Sequence, residues 1–381
     1  MKLRLPQLMI ILVVVTLLGA TLSFTLPSVR LVPTAILLHM IFAVGIIPLI
    51  LGAMTYFVPV LTRTGAVSNC ELIPPLLAFV AGLLLIVGLW KSNQLIPIAA
   101  AIDLVAVLWL SRWIQQRRGR CLGSPHPGLR WYQLALLMLL LALSAIVSGY
   151  FWPEQWRAFR HFHLHLNLLG FIGFTALSTL RVLLPTSTNI SDSHTAIWLS
   201  KQWRWATPGV LLIAAGSAWY TPAAIVGLVI FAIPLLLLAK ALLIKQWAGV
   251  AKLHGAAPAL AIALSGFGGC LLISGWHIHG LLRGDVLTRL FILLFLLPLV
   301  TGAASHLIPL WMTATAQGQT KQYVMQTLGR FSAIRCAFYY CSGLLLILDT
   351  NLYYLPALIA LIHFLYLISS GHLGKTTMPQ A

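Results

Sequence analysis

A succession of apolar runs, each about 20 residues long, fills this chain almost from end to end. A run of that length forms a helix that can cross a bilayer, because the helix bonds its backbone polar groups within the segment. Such runs lie near 7–25, 33–61, 72–90, 94–114, 131–151, 161–185, 206–220, 222–244, 257–276, 287–311, 331–348 and 352–370. The expected fold is all-α, a polytopic membrane helix bundle of about twelve transmembrane helices. Eleven is the alternative, because Pro208 and a stretch of small residues make the seventh run short. Only 8% of the 381 residues are charged, against roughly a quarter in soluble domains, so the partner of the surface is a lipid bilayer. The net charge of +18 would suggest nucleic acid for a soluble protein. Here Lys and Arg sit at the ends of apolar runs, which is a topogenic pattern, and nucleic-acid binding is excluded on that ground.

Orientation follows from where those cations fall. With the N-terminus inside, seventeen of the 24 Lys and Arg residues, Lys2, Arg63, Arg117, Arg335 and Lys375 among them, collect on the cytoplasmic side, against six, Arg30, Lys91, Arg157, Arg160, Arg283 and Arg289, on the outer side. Both termini are then expected in the cytoplasm of a bacterial cell, and the chain in its inner membrane. The first run, after Met1–Arg4, is read as an uncleaved span. Trp90, Trp152, Trp156, Trp219 and Trp276 would mark the outer interface, and Trp113, Trp131, Trp203, Trp247 and Trp311 the inner one. Arg181 lies within a span and is expected to snorkel.

Pro48–Pro59 aligns without a gap on Pro298–Pro309, an offset of 250 residues, and half that offset falls in the sixth run. We read a single membrane domain, 1–381, made of repeats at about 1–125, 126–250 and 251–375. Such repeats bury sites between equivalent helices.

Ionisable residues inside spans point to function. Asp103 alone among the acids lies mid-span. Six histidines gather at one depth, near the outer face: His39 on the second span, His161, His163 and His165 on the sixth, and His277 and His279 at the end of the ninth. Neutral imidazole ligates haem iron and copper. His161 and His165 share one helix face, whereas His163 serves another partner, with Asn167 placed to orient it. Arg289, at this level on the tenth span, cannot ligate iron and is suited to a haem propionate. The expected site is cofactor-binding at His39, His163, His165 and Arg289, with His161, His277 and His279 as further metal ligands. Structural roles for the same histidines remain open, as does a small-solute or metal-cation transporter or channel using them as carriers. The five cysteines form no C-x-x-C or C-x-x-C-H motif, so zinc ribbons and covalently attached haem are unsupported. No P-loop, dinucleotide or nucleophile motif is present.

Twelve spans in three four-helix repeats, His39 with Thr62-Arg63-Thr64-Gly65 at the end of its helix, and His165-Leu-Asn-Leu-Leu-Gly170 followed by Thr179-Leu-Arg181, resemble the catalytic subunit of haem-copper oxidases and nitric oxide reductases. They resemble more closely the NnrS-like family of haem- and copper-containing membrane proteins. The resemblance implies haem and/or copper and a role in redox or nitric oxide metabolism. It covers the architecture of the whole chain and only these short motifs. The oxidase copper site has a His followed by Tyr four residues later and a His-His pair in span seven, and this chain has neither, so the resemblance does not extend to oxygen reduction.

Overall fold

The computed structural model describes residues 4–29, 32–312 and 318–377. Lys2 and Arg30 lie outside them, as do the side chains of His372 and Lys375. Among the described residues there is no strand, and helices occupy all twelve apolar runs. They are α1 (Leu5–Val29), α2 (Thr34–Thr62), α3 (Ile73–Lys91), α4 (Leu95–Gly119), α5 (Gly128–Phe151) and α6 (Pro153–Thr188, its first turn a 3-10 turn). α7 (Trp203–Trp219), α8 (Thr221–Ile244), α9 (Ala256–Ile278), α10 (Gly284–Met312), α11 (Ser332–Ile347) and α12 (Tyr354–Thr377) follow. Ten of the described helices are long and apolar enough to cross a membrane. The two that fall short are α7, at 17 residues, and α11, at 16. The protein is a multi-pass helical membrane protein. Short helices at Thr195–Lys201, Trp247–Val250 and Gly318–Gly329, in the connections, have no counterpart among the expected spans.

The described chain forms two compact units. One comprises Met1–Ser23, Leu31–Thr179 and Ser193–Leu235, and the other Phe24–Arg30, Leu180–Asp192 and Leu236–Ala381. In the first, α2 packs on α3, α3 along α4, α4 along α5, α5 along α6, and α7 against the start of α6. In the second, α9 packs on α10 and α11, and α11 on α12.

Four helices contain a π-helical segment: in α8 it is the last turn, Lys240–Ile244, and in α2, α6 and α10 it is internal, at Phe42–Ile46, Leu166–Ile172 and Phe291–Leu296. The starts of the internal three are separated by nearly the offsets read from the sequence. The ends of α2 and α10, Thr34 with Gly284 and Thr62 with Met312, keep the 250-residue spacing. A proline stands in the last turn of each of these three helices, at Pro59, Pro185 and Pro309. A π segment inserts a residue and turns a backbone carbonyl out of the regular ladder. Close packing there depends on glycine. A Cβ at Gly82 would lie 2.5 Å from the Ala43 carbonyl oxygen, and one at Gly266 would lie 1.9 Å from that of Leu294.

Two expectations about side chains are corrected. The outer tryptophans Trp90, Trp152, Trp156, Trp219 and Trp276 are exposed, as lipid-facing residues would be, but Trp113, Trp131 and Trp311 of the inner set are buried. Trp131 donates Nε1–H to the Leu199 carbonyl and stacks on Trp198, so it is a packing residue, not part of a belt. Arg181 does not snorkel. It is 1% exposed and paired with Asp192 at 2.5 Å, because the chain after α6 folds back and brings the carboxylate to it.

Candidate functional site

The α6 helix begins earlier than its apolar run, at Pro153, so His161, His163 and His165 lie inside the helix rather than at its start. His39 sits on α2 just before the first internal π segment, and His165 immediately before the second. Arg289 stands just before the third, 250 residues after His39. π segments recur at functional sites in helices.

The hydrogen bonds of these imidazoles follow one pattern. His39 Nδ1 meets the Ala35 carbonyl at 2.7 Å, His163 Nδ1 the Ala142 carbonyl at 2.9 Å, and His165 Nδ1 the His161 carbonyl at 2.8 Å. His277 Nδ1 meets the Leu282 carbonyl at 2.8 Å. A carbonyl oxygen only accepts, so each Nδ1 carries the proton, and in the neutral ring the lone pair is on Nε2. The bonds of His39 and His165 are local, one helical turn back. That of His163 crosses to α5, and that of His277 reaches the connection after α9. Ser217 Oγ on α7 also stands 3.0 Å from His165 Nδ1. Asn167 Nδ2 donates to the His163 carbonyl at 3.0 Å and lies 3.3 Å from both ring nitrogens, of which Nε2, the unprotonated one, is the acceptor.

His126 and His254, in the connections, show the reverse arrangement. Their Nδ1 atoms accept N–H bonds from Gly128 (3.2 Å) and Phe331 (2.9 Å), so the proton is on Nε2. The protonated-Nδ1 pattern thus belongs to four histidines within helices, His39, His163, His165 and His277.

Within the first unit, His39 of α2 and His163 of α6 are electrostatic neighbours. His161 and His165 are one helical turn apart on α6. His277 is partly buried and His279 exposed, both in the second unit, where Arg289 Nη1 donates to the Tyr353 hydroxyl at 2.8 Å. Among the described residues, no three His, Cys, Asp or Glu side chains are grouped so as to hold one metal ion.

Some residues of this region were not apparent from sequence. Ser217 and the Ala142 carbonyl carry no pattern that marks them. Thr64 and Gly65, part of the motif that carried the family resemblance, serve as the C-terminal clamp of α2. Arg63 there adopts a left-handed conformation, and Arg117 of α4 donates to Thr64 Oγ (3.1 Å), the Gly65 carbonyl (2.6 Å) and the Ala66 carbonyl (3.1 Å). Arg335, counted with the cytoplasmic cations, is only 2% exposed, and its guanidinium lies 4.4 Å over the Phe364 ring. Asp103 on α4 is buried at 4% exposure, and its Oδ1 has no hydrogen-bond partner. No protein-family model and no curated protein sequence matches this chain.

Proposed function

We propose that the protein is an integral membrane haem-binding protein of the NnrS-like kind, acting in redox or nitric oxide metabolism, with copper as the alternative metal. It would reside in a bacterial inner membrane with both termini in the cytoplasm. One observation carries the reading: the His163 Nδ1–H is given to a carbonyl on a neighbouring helix, which presents Nε2 as a base at the depth where His39 also lies. Histidines that ligate metals characteristically donate their other ring N–H in this way, which fixes the tautomer and raises basicity. The residues therefore fit a haem that one imidazole would hold, since haem needs only one or two such imidazoles.

In this reading His163 would hold the iron through Nε2, with the Ala142 carbonyl orienting the ring and the Asn167 N–H, 3.3 Å from Nε2, giving way to the metal. His39 is the second candidate ligand. Bound haem supplies an iron that changes oxidation state and takes small diatomic ligands. Imidazoles set among apolar helices need partners for their nitrogens, because an unpaired polar group is costly there.

The test is a visible spectrum and metal analysis of the detergent-purified protein. A Soret band with iron is expected, lost or shifted in His163→Ala and His39→Ala and kept in His194→Ala. Absence of both chromophore and metal overturns the proposal. A second reading, proton-coupled transport of a small solute, draws on the buried Asp103, whose Oδ1 has no hydrogen-bond partner. It predicts flux in proteoliposomes that Asp103→Asn abolishes, without a chromophore.

A further inference from the structure

At one end of the first unit, the last turn of α4, the first turn of α5 and the residues leading into α7 enclose an open cavity of about 200 Å³. That is several times the ~30 Å³ share of a water molecule. Arg118, His126, Arg130, Gln133, Ser200 and Trp203 are among its lining residues, and none of the chain's six acids is.

The donors are arranged rather than merely crowded. The Arg130 guanidinium carbon lies over the Trp203 ring, 4.4 Å from its centroid. Trp203 is itself anchored, donating Nε1–H to the Ser200 carbonyl at 3.0 Å. Arg118 Nη1 donates to Gln133 Oε1 at 3.4 Å, while Gln133 Nε2 is buried with no acceptor. His126 accepts on Nδ1, which makes its Nε2 a donor. Guanidinium edges, an amide N–H and an imidazole N–H, with no competing carboxylate, make up a phosphate-binding set.

We propose that this pocket binds the phosphate of an anionic phospholipid. Two features select a lipid over free phosphate. The cavity lies at the ends of membrane-length helices, where headgroups are found, and exposed Ile197, Trp205 and Leu122, near it in sequence, offer apolar surface for acyl chains. Basic pockets between helix ends take anionic headgroups in this way.

The experiment is native mass spectrometry of the full chain in detergent with phosphatidylglycerol, phosphatidylcholine or inorganic phosphate as the only added ligand. Phosphatidylglycerol should be retained over phosphatidylcholine. Arg118→Gln and Arg130→Gln should each lower its retention roughly fivefold, and Arg130→Lys, which keeps the charge but loses the guanidinium, should fall between. Arg120→Gln removes a neighbouring cation that does not line the cavity and should leave retention unchanged. Thermal melts of each variant check that it is folded, and Arg130→Lys tests the site if Arg130→Gln is not. Equal retention of the two lipids, an Arg120→Gln loss as large as that of Arg118→Gln, or displacement of the lipid by millimolar inorganic phosphate would overturn the proposal.

Discussion

Which nitrogen of an imidazole holds the proton determines what else the ring can bind, and here that choice separates histidines within the helices from histidines in the connections. His39, His163, His165 and His277 give their Nδ1 protons to carbonyls, while His126 and His254 receive protons at Nδ1. Asn167→Ala removes the N–H donor that competes with iron for His163 Nε2 and leaves the Nδ1 bond to Ala142, so haem loss to an apo-acceptor protein should be no faster than in the parent; His163→Ala should make it complete. His126, outside the spans, titrates below its usual 6.5, first because burial disfavours the imidazolium and second because Arg63 repels it. Below about pH 6.5 the unfolded chain therefore takes up more protons than the folded one at this residue. Its contribution to stability is intact above that pH and is lost as the pH falls through the lowered value. Melts of detergent-solubilised protein between pH 7.5 and pH 5 should show a shallower decline in His126→Gln than in the parent.

At the scale of helices, close approach of backbones is the recurrent device. Gly266 faces the Leu294 carbonyl of the π segment in α10, so Gly266→Ala forces α9 and α10 apart and should cost roughly 1–3 kcal/mol. Gly268, two residues on, has open space around its missing Cβ. Gly268→Ala should be neutral or stabilising by up to about 1 kcal/mol, and parallel thermal melts distinguish the two. Helix existence and length were legible in the sequence because twenty apolar residues have few alternatives in lipid. The correspondence of α2 with α10 was legible because Pro48 and Pro298 begin the same pattern. The π segments were not legible: Phe42–Ile46 and Phe291–Leu296 read as ordinary apolar helix, and the inserted residue is set by what packs alongside. The same limit applies to Trp131 and Arg181. Position along a helix gave their depth, but not the Trp198 ring or the Asp192 carboxylate that they meet across the fold. At the candidate site, the histidines and Asn167 could be named from type and spacing. The carbonyl of Ala142 could not, since any residue there offers the same oxygen.

For the molecule as a whole, the asymmetry of Lys and Arg fixes an expected orientation. Reporter fusions after Gly123 should give cytoplasmic signals and fusions after Glu154 periplasmic ones, and the reverse pattern would invert every inside and outside assignment. The internal π segments have a consequence for how such a chain tolerates change. Each acts as a phase slip: the turns before it and those after it keep separate angular registers on one continuous rod. In α10 the slip separates Arg289 from Thr301 and Ser305, the latter bonded to the Leu328 carbonyl. The wider i→i+5 turn takes up one extra residue, so removing one residue from Phe291–Leu296 should restore an unbroken α-helix whose two halves still meet their partners, Arg289 the Tyr353 hydroxyl and Ser305 the Leu328 carbonyl. A one-residue deletion outside the slip has no such slack and turns everything beyond it by about 100°. Such helices should therefore accept a one-residue deletion within the slip far more readily than one outside it.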